Sequence, residues 1–196
     1  MNTTIVRHRL ALLIIDMQND FVMSGAPAFV YGAYDSIDSI RKLLDYYRLI
    51  KEPVFHVIRE YRSDGSDVEI TRYESFIKNR KIVVPGTDGC KIVEKLKPAE
   101  GEYVIIKNRF SAFMNTELDF MLRRLGITDI AICGTQFPNC IRATAFDAVS
   151  YGYNVTVIKD ATSAASKQIA EANITDIQNI GIPCITVDEY IKKMNI

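Results

Sequence analysis

The sequence predicts an α/β fold, a three-layer α/β/α sandwich around a mainly parallel six-stranded sheet, and three observations predict it. Short runs rich in Ile and Val alternate with segments of helical period, most of those runs are unbroken by polar residues, and glycines stand where the helical stripes stop. Unbroken apolar runs suit strands buried on both faces, as in parallel sheets. Regular alternation with helices then calls for right-handed crossovers.

Taken in order, strands are expected at 10–15, 53–58, 103–106, 130–133, 154–158 and 184–187. Between them, Ile37, Ile40, Leu44 and Tyr47 recur at helical spacing, as do Leu118, Met121, Leu122 and Leu125, and Ile141, Ala145, Ala148 and Val149. Each set marks the buried face of a crossover helix. Gly126, Gly152 and Gly181 each follow an apolar helical stripe, where a left-handed C-terminal cap favours glycine. Segment 59–87 is the exception. It is polar, rich in Arg, Asp, Ser and Gly, and longer than most connections, which suits a functional cover or extra contacts rather than filler. The chain shows no internal repeat and no low-complexity tract.

With 196 residues, 48% of them hydrophobic, the chain can bury one substantial core, so a single domain over residues 1–196 is expected. Lys plus Arg and Asp plus Glu each number 24, without a run of like charge, which leaves no electrostatic footprint for nucleic acid or an anionic membrane. The apolar runs are far shorter than the roughly 20 residues of a membrane span. The start Met1-Asn2-Thr3-Thr4 lacks a secretory apolar region, and a cytoplasmic location is expected. Cys90, Cys133, Cys140 and Cys184 form no Cys-x-x-Cys pair and are expected as free thiols.

Three positions carry chemistry. Cys140 follows an apolar strand, a tight turn and Pro138, which suits a first helical turn. There, unpaired N–H groups and the helix dipole favour a thiolate and can hold an oxyanion. Asp16 directly follows Ala11-Leu12-Leu13-Ile14-Ile15, at the carboxyl end of its strand, the place of a general base. Lys107 is the first polar residue after Tyr103-Val104-Ile105-Ile106, where an ammonium would lower a thiol's pKa and hold the aspartate. Each residue also has an ordinary reading: a small buried hydrophobe for the cysteine, a turn cap for the aspartate (a role that suits Asp20 better), a solvated strand end for the lysine. The joint placement of all three at one sheet edge is what favours a site.

The segments LLIIDMQNDF (12–21), KNRFSAF (107–113) and CGTQFPNCIRATAFDA (133–148) resemble the isochorismatase-like cysteine hydrolases, which include nicotinamidases, N-carbamoylsarcosine amidohydrolase and ureidoacrylate or biuret hydrolases. The resemblance runs through nearly the whole chain. It implies a catalytic triad of Asp16, Lys107 and Cys140, a cis peptide at Thr135-Gln136, and an oxyanion hole of the backbone N–H groups of Gln136 and Cys140. It also implies a homodimer or homotetramer.

Two departures bear on function. Gln136-Phe137-Pro138-Asn139 replaces the alanine-threonine-asparagine stretch common in the family, so the substrate cannot be copied across. The family's nicotinamidases carry an Asp-x-His pattern plus a further histidine, whereas this chain has only His8 and His56. No metal and no other cofactor is therefore expected, and His56 is read as a core or substrate-facing side chain. Isochorismatases proper cleave a vinyl ether without a thiol, so Cys140 points instead to amide, carbamoyl or ureido C–N bonds and a thioester intermediate. Arg59, Arg109 and Arg142 are candidate clamps for a substrate carboxylate, with Phe21 and Phe113 as candidate apolar walls. Each arginine also reads as a surface residue, and each phenylalanine as core.

Three other readings compete. A nicotinamidase-type amidase, or a catalytically weak family member used for binding or assembly, would keep the same fold. A nucleotide or flavin binder is disfavoured, because no glycine-rich phosphate motif follows any strand.

Overall fold

A computed structural model describes residues 9–194. Six strands, β1 Leu10–Ile15, β2 Val54–Arg59, β3 Tyr103–Lys107, β4 Asp129–Thr135, β5 Asn154–Ser163 and β6 Cys184–Ile185, form one sheet in the order β3-β2-β1-β4-β5-β6. Every neighbouring pair is parallel, so the sheet is wholly rather than mainly parallel. The helices are α1 Asn19–Val22, α2 Ile37–Ile50, α3 Ile70–Lys78, α4 Leu118–Arg124, α5 Arg142–Ser150, α6 Lys167–Asn179 and α7 Val187–Met194. Among the described residues no helix is long and apolar enough to cross a membrane.

Side-chain alternation along β1 divides the core in two. Leu12 and Ile14 join Ile40, Leu44 and Tyr47 of α2 and Tyr190 of α7 in one buried cluster. Ala11, Leu13 and Ile15 join Leu118 and Leu122 of α4, Ala145 and Ala148 of α5 and Ile177 of α6 in the other. Each fully buried Leu or Ile contributes about 1.5–3 kcal/mol, so the two clusters clamp the sheet from both sides.

The helix stripes fall where the sequence puts them, except that Val149 is exposed. α2 ends on Lys51 in a left-handed conformation, and Pro53 cannot continue it. Gly126, Gly152 and Gly181 have positive φ and donate their N–H groups back to the preceding turn, as capping glycines do. Strand bounds shift by a few residues. Arg59 and Lys107 are the last residues of their strands, β4 and β5 run on to Thr135 and Ser163, and the run expected at 184–187 breaks after Ile185 because α7 begins at Val187. Segment 59–87 is not all loop, since α3 lies within it.

Parallel strands put all their carboxyl ends on one rim. From β1 the chain runs to β2 and β3 on one side and to β4, β5 and β6 on the other, so the order reverses between β1 and β4. A crevice opens where such connections diverge. Gly134 keeps the two central strands close there, because a Cβ at that position would lie 2.1 Å from the Ile15 carbonyl oxygen.

Candidate active site

Four strand ends supply the polar groups of this rim. Asp16 leaves β1 with φ 53, a left-handed conformation that aspartate tolerates better than most residues. Arg59 ends β2, Lys107 ends β3, and Thr135 ends β4 before a cis peptide to Gln136. Phe137–Ile141 then forms a π-helical turn that runs directly into α5. Cys140 is the fourth residue of that turn, so the expected first helical turn is wider than an α-helix, and the sulfur faces the crevice.

Lys107 Nζ donates to Asp16 Oδ2 at 2.8 Å and to the Arg109 carbonyl at 3.2 Å. Arg59 Nη2 donates to Cys140 Sγ at 3.2 Å and to the same Arg109 carbonyl at 3.0 Å. Its Nη1 donates to Glu69 Oε1 at 2.5 Å and to the Tyr61 hydroxyl, which in turn bonds Glu69. Arg59 Nε stands 3.8 Å from Asp16 Oδ2. Asp16, Arg59, Lys107 and Cys140 are at most 4% exposed, so these charges act on one another with little screening.

The electrostatics oppose each other at the sulfur. Burial pushes the Cys140 thiol up and Asp16 pushes it further, while Lys107 and Arg59 pull it down, and the balance stays above the ordinary value. Burial and Asp16 thus favour the thiol, while Lys107 and Arg59 favour the thiolate expected of a helix start. Asp16 and Cys140 line the same crevice. Among the described residues Asp16 Oδ1 has no hydrogen-bond partner, which leaves it open to take a proton. Burial also penalises the Arg59 charge, but its interactions with Cys140, Asp16, Tyr61 and Glu69 outweigh that penalty and hold the guanidinium charged. The other thiols differ. Burial raises Cys90 and Cys184 to about 11 and Cys133 higher still, and none of them has two cations pulling it back.

The Cys140 crevice holds only ≈ 10 Å³ of free space. It shares Phe21, Arg72 and Gln136 with a cavity of ≈ 530 Å³, whose far wall is Val68, Ser75, Phe76 and Asn79 of segment 59–87. The segment is thus a cover over the nucleophile.

Of the candidate substrate contacts, Phe21 and Arg59 face this space. The other three do not. Arg109 spends its guanidinium on the Asp67 and Asn108 carbonyls, so what it brings to the site is its own carbonyl. Phe113 stacks on Tyr151 and Tyr153 in the core behind α4. Arg142 pairs with Asp176 and covers Phe146, because the turn after Cys140 rotates it onto α6. Asp20 caps no local turn. It accepts the N–H of Val83 at 2.6 Å, 63 residues away, and so pins the cover.

Sequence reading missed Tyr61, Glu69 and Arg72. They lie in a stretch flagged only as a whole, where one charged residue in polar surroundings carries no individual signal.

Comparison with known proteins places the chain in a family. The family model "Isochorismatase domain" matches residues 10–189. The chain belongs to the isochorismatase family. Among solved structures of that family, one from Desulfovibrio vulgaris subsp. vulgaris str. Hildenborough superposes with a TM-score of 0.93 at 46% identity, over 96% of this chain and 100% of the other. An Arabidopsis thaliana relative named "Probable inactive nicotinamidase" is 42% identical, over 94% of this chain and 95% of its own. A maleamate amidohydrolase of Pseudomonas putida is 28% identical, over 86% and 79% respectively. The isochorismatase family thus supplies amidohydrolase relatives for this chain.

The metal set of the family's nicotinamidases does not fit these residues. His56 is buried mid-strand and bonded to Glu102 at 2.8 Å, which makes it core rather than substrate-facing, and His8 lies outside the described residues. The crevice is lined without an imidazole. Among the described residues no group of three His, Cys, Asp or Glu side chains stands at metal-holding distance.

Proposed function

We propose that this isochorismatase-family protein is a metal-independent cysteine hydrolase that cleaves the C–N bond of a small amide, carbamoyl or ureido compound through a thioester on Cys140. The observation that carries the reading is a sulfur in a covered crevice that it shares with a carboxylate fixed by an ammonium group.

Asp16 takes the Cys140 proton as sulfur attacks the carbonyl carbon, whose oxygen is held by the Gln136 and Cys140 N–H groups. The protonated Asp16 then gives its proton to the departing amine, and the carbonyl re-forms as a thioester. Asp16 next activates water, which adds to the thioester and releases acid and thiol. Lys107 keeps Asp16 oriented through every step. Arg72 lines both crevice and cavity and, among the described residues, has no carboxylate partner, which suits a substrate that carries an anionic group.

The test is intact-protein mass spectrometry with a panel of carbamoyl, ureido and primary amides, nicotinamide included, on wild type, Cys140→Ser and Cys140→Ala. An acyl adduct on wild type, absent from Cys140→Ala along with turnover, supports the covalent reading. Turnover by Cys140→Ala at the wild-type rate overturns it. The inactive designation of the Arabidopsis relative favours a second reading, a binding protein that keeps the fold. Tight binding of a panel member without adduct or turnover would select that one.

A further inference from the structure

The Asp16, Lys107 and Cys140 set leaves one group at the sulfur without a role. Arg59 is completely buried at the end of β2, and its Nη2 is the donor at Sγ, 3.2 Å away. A buried guanidinium is retained only where its hydrogen bonds are met, and four of those on Arg59 are. Glu69, Tyr61 and the Arg109 carbonyl hold the outer edge of the fork, and the fourth bond goes to sulfur. Among the described residues its Nε–H has no hydrogen-bond partner, nor has the hydroxyl of Thr135, and both residues line the Cys140 crevice. The brace comes from Glu69, the residue just before α3, so the cover over the cavity also aims the arginine.

The geometry points to Arg59 as a fourth catalytic residue, whose guanidinium bonds the Cys140 sulfur and stabilises the thiolate while Asp16 carries the proton. This rests on Cys140 as nucleophile. When the S–H bond breaks, the proton goes to an Asp16 oxygen and the electron pair stays on sulfur. Asp16 is then neutral, and the new negative charge faces Lys107 and Arg59. Charge-assisted bonds of this kind are about twice as strong as neutral ones, so Arg59 favours the thiolate over the thiol. Glu69 draws on the same charge from the opposite edge and tempers its effect.

The groups that face the sulfur are Asp16 after β1, Arg59 on β2, Lys107 on β3 and Arg72 on α3, with Tyr61 and Glu69 behind Arg59. The experiment varies Arg59 and Glu69, and it needs no substrate. The rate of Cys140 alkylation by iodoacetamide is followed from pH 6 to 11 by intact mass, for wild type, Arg59→Met and Glu69→Gln, with Cys140→Ala to identify the reacting thiol. Arg59→Met is expected to move the midpoint up by about one pH unit, so that alkylation at pH 7 slows about tenfold. Glu69→Gln keeps the shape of the brace but removes the tempering charge, so its midpoint moves down.

Opposite signs identify an electrostatic action on sulfur, because loss of structure would move both variants the same way. An unchanged midpoint in Arg59→Met, or shifts of the same sign, overturns the proposal. Should Arg59→Met fail to fold, Glu69→Gln decides alone, and an unchanged or raised midpoint overturns it. Absence of any acyl adduct in the substrate panel would count against the hydrolase reading without altering this titration, so the two failures are separable.

Discussion

Two arginine–glutamate pairs on opposite sides of β2 and β3 use the same residue types to opposite ends. Arg48 of α2 holds Glu102 bidentately, Nε to Oε1 at 2.6 Å and Nη2 to Oε2 at 3.0 Å, and Glu102 also bonds the His56 ring and the Ala99 N–H. That cluster lines neither the Cys140 crevice nor the cavity beside it; it staples α2 to the turn before β3. Arg59 meets Glu69 with one nitrogen only and spends the rest of its fork on Tyr61, a carbonyl and sulfur. A bidentate pair that satisfies itself is structural, whereas a pair that leaves part of the fork aimed at a nucleophile is available for chemistry.

The largest effect that tests this contrast is expected at Lys107, which belongs to the reactive side. Lys107→Met leaves Asp16 buried beside Arg59 alone and removes its orienting bond. Turnover on any substrate found in the panel should fall by about 10³-fold or more, and stability to chemical denaturation by about 3 kcal/mol. Near wild-type turnover would show that Asp16 needs no ammonium partner.

A smaller effect, and one of a different kind, is expected on the structural side. Burial opposes ionisation of Glu102, but the bonds from Arg48, the Ala99 N–H and His56 overcome it and hold the carboxyl at about 2. The folded value lies below the unfolded one, so this contribution is complete above the usual glutamate range, near pH 4.5. It is lost as pH falls toward about 2. Glu102→Gln should cost about 1 kcal/mol at neutral pH, after allowance for solvent screening, and should flatten the acid limb of denaturation midpoint against pH. Cys140 alkylation should not change. A shift in its midpoint would show that the two clusters are coupled through β2 and β3.

The smallest effect is expected at Arg142, whose pair with Asp176 is nearly half exposed. Arg142→Ala should change stability by less than about 1 kcal/mol and leave turnover within about twofold, because exposed pairs are screened. A marked loss of turnover would return Arg142 to the substrate pocket.

The fold was legible in the sequence because parallel strands buried on both faces must be written as unbroken apolar runs, and crossover helices as stripes ended by glycine. The same logic put Asp16, Lys107 and Cys140 on one rim, since strand ends in a parallel sheet share an edge whatever their distance along the chain. Element bounds were less legible. The break after Ile185 and the extension of β5 to Ser163 depend on which neighbour each strand meets, not on its own residues.

Side-chain direction and partner choice came only from the tertiary structure. Arg59, Arg109 and Arg142 look alike in sequence, yet the first enters the crevice, the second turns back to the carbonyls of its own loop, and the third lies on α6. Glu69 and Arg72 became visible only once α3 was folded over the rim. Apolar periodicity is local and repeats along the chain, so one sequence carries it. The destination of a long charged side chain is a choice among partners brought together by folding, and that choice is made in three dimensions.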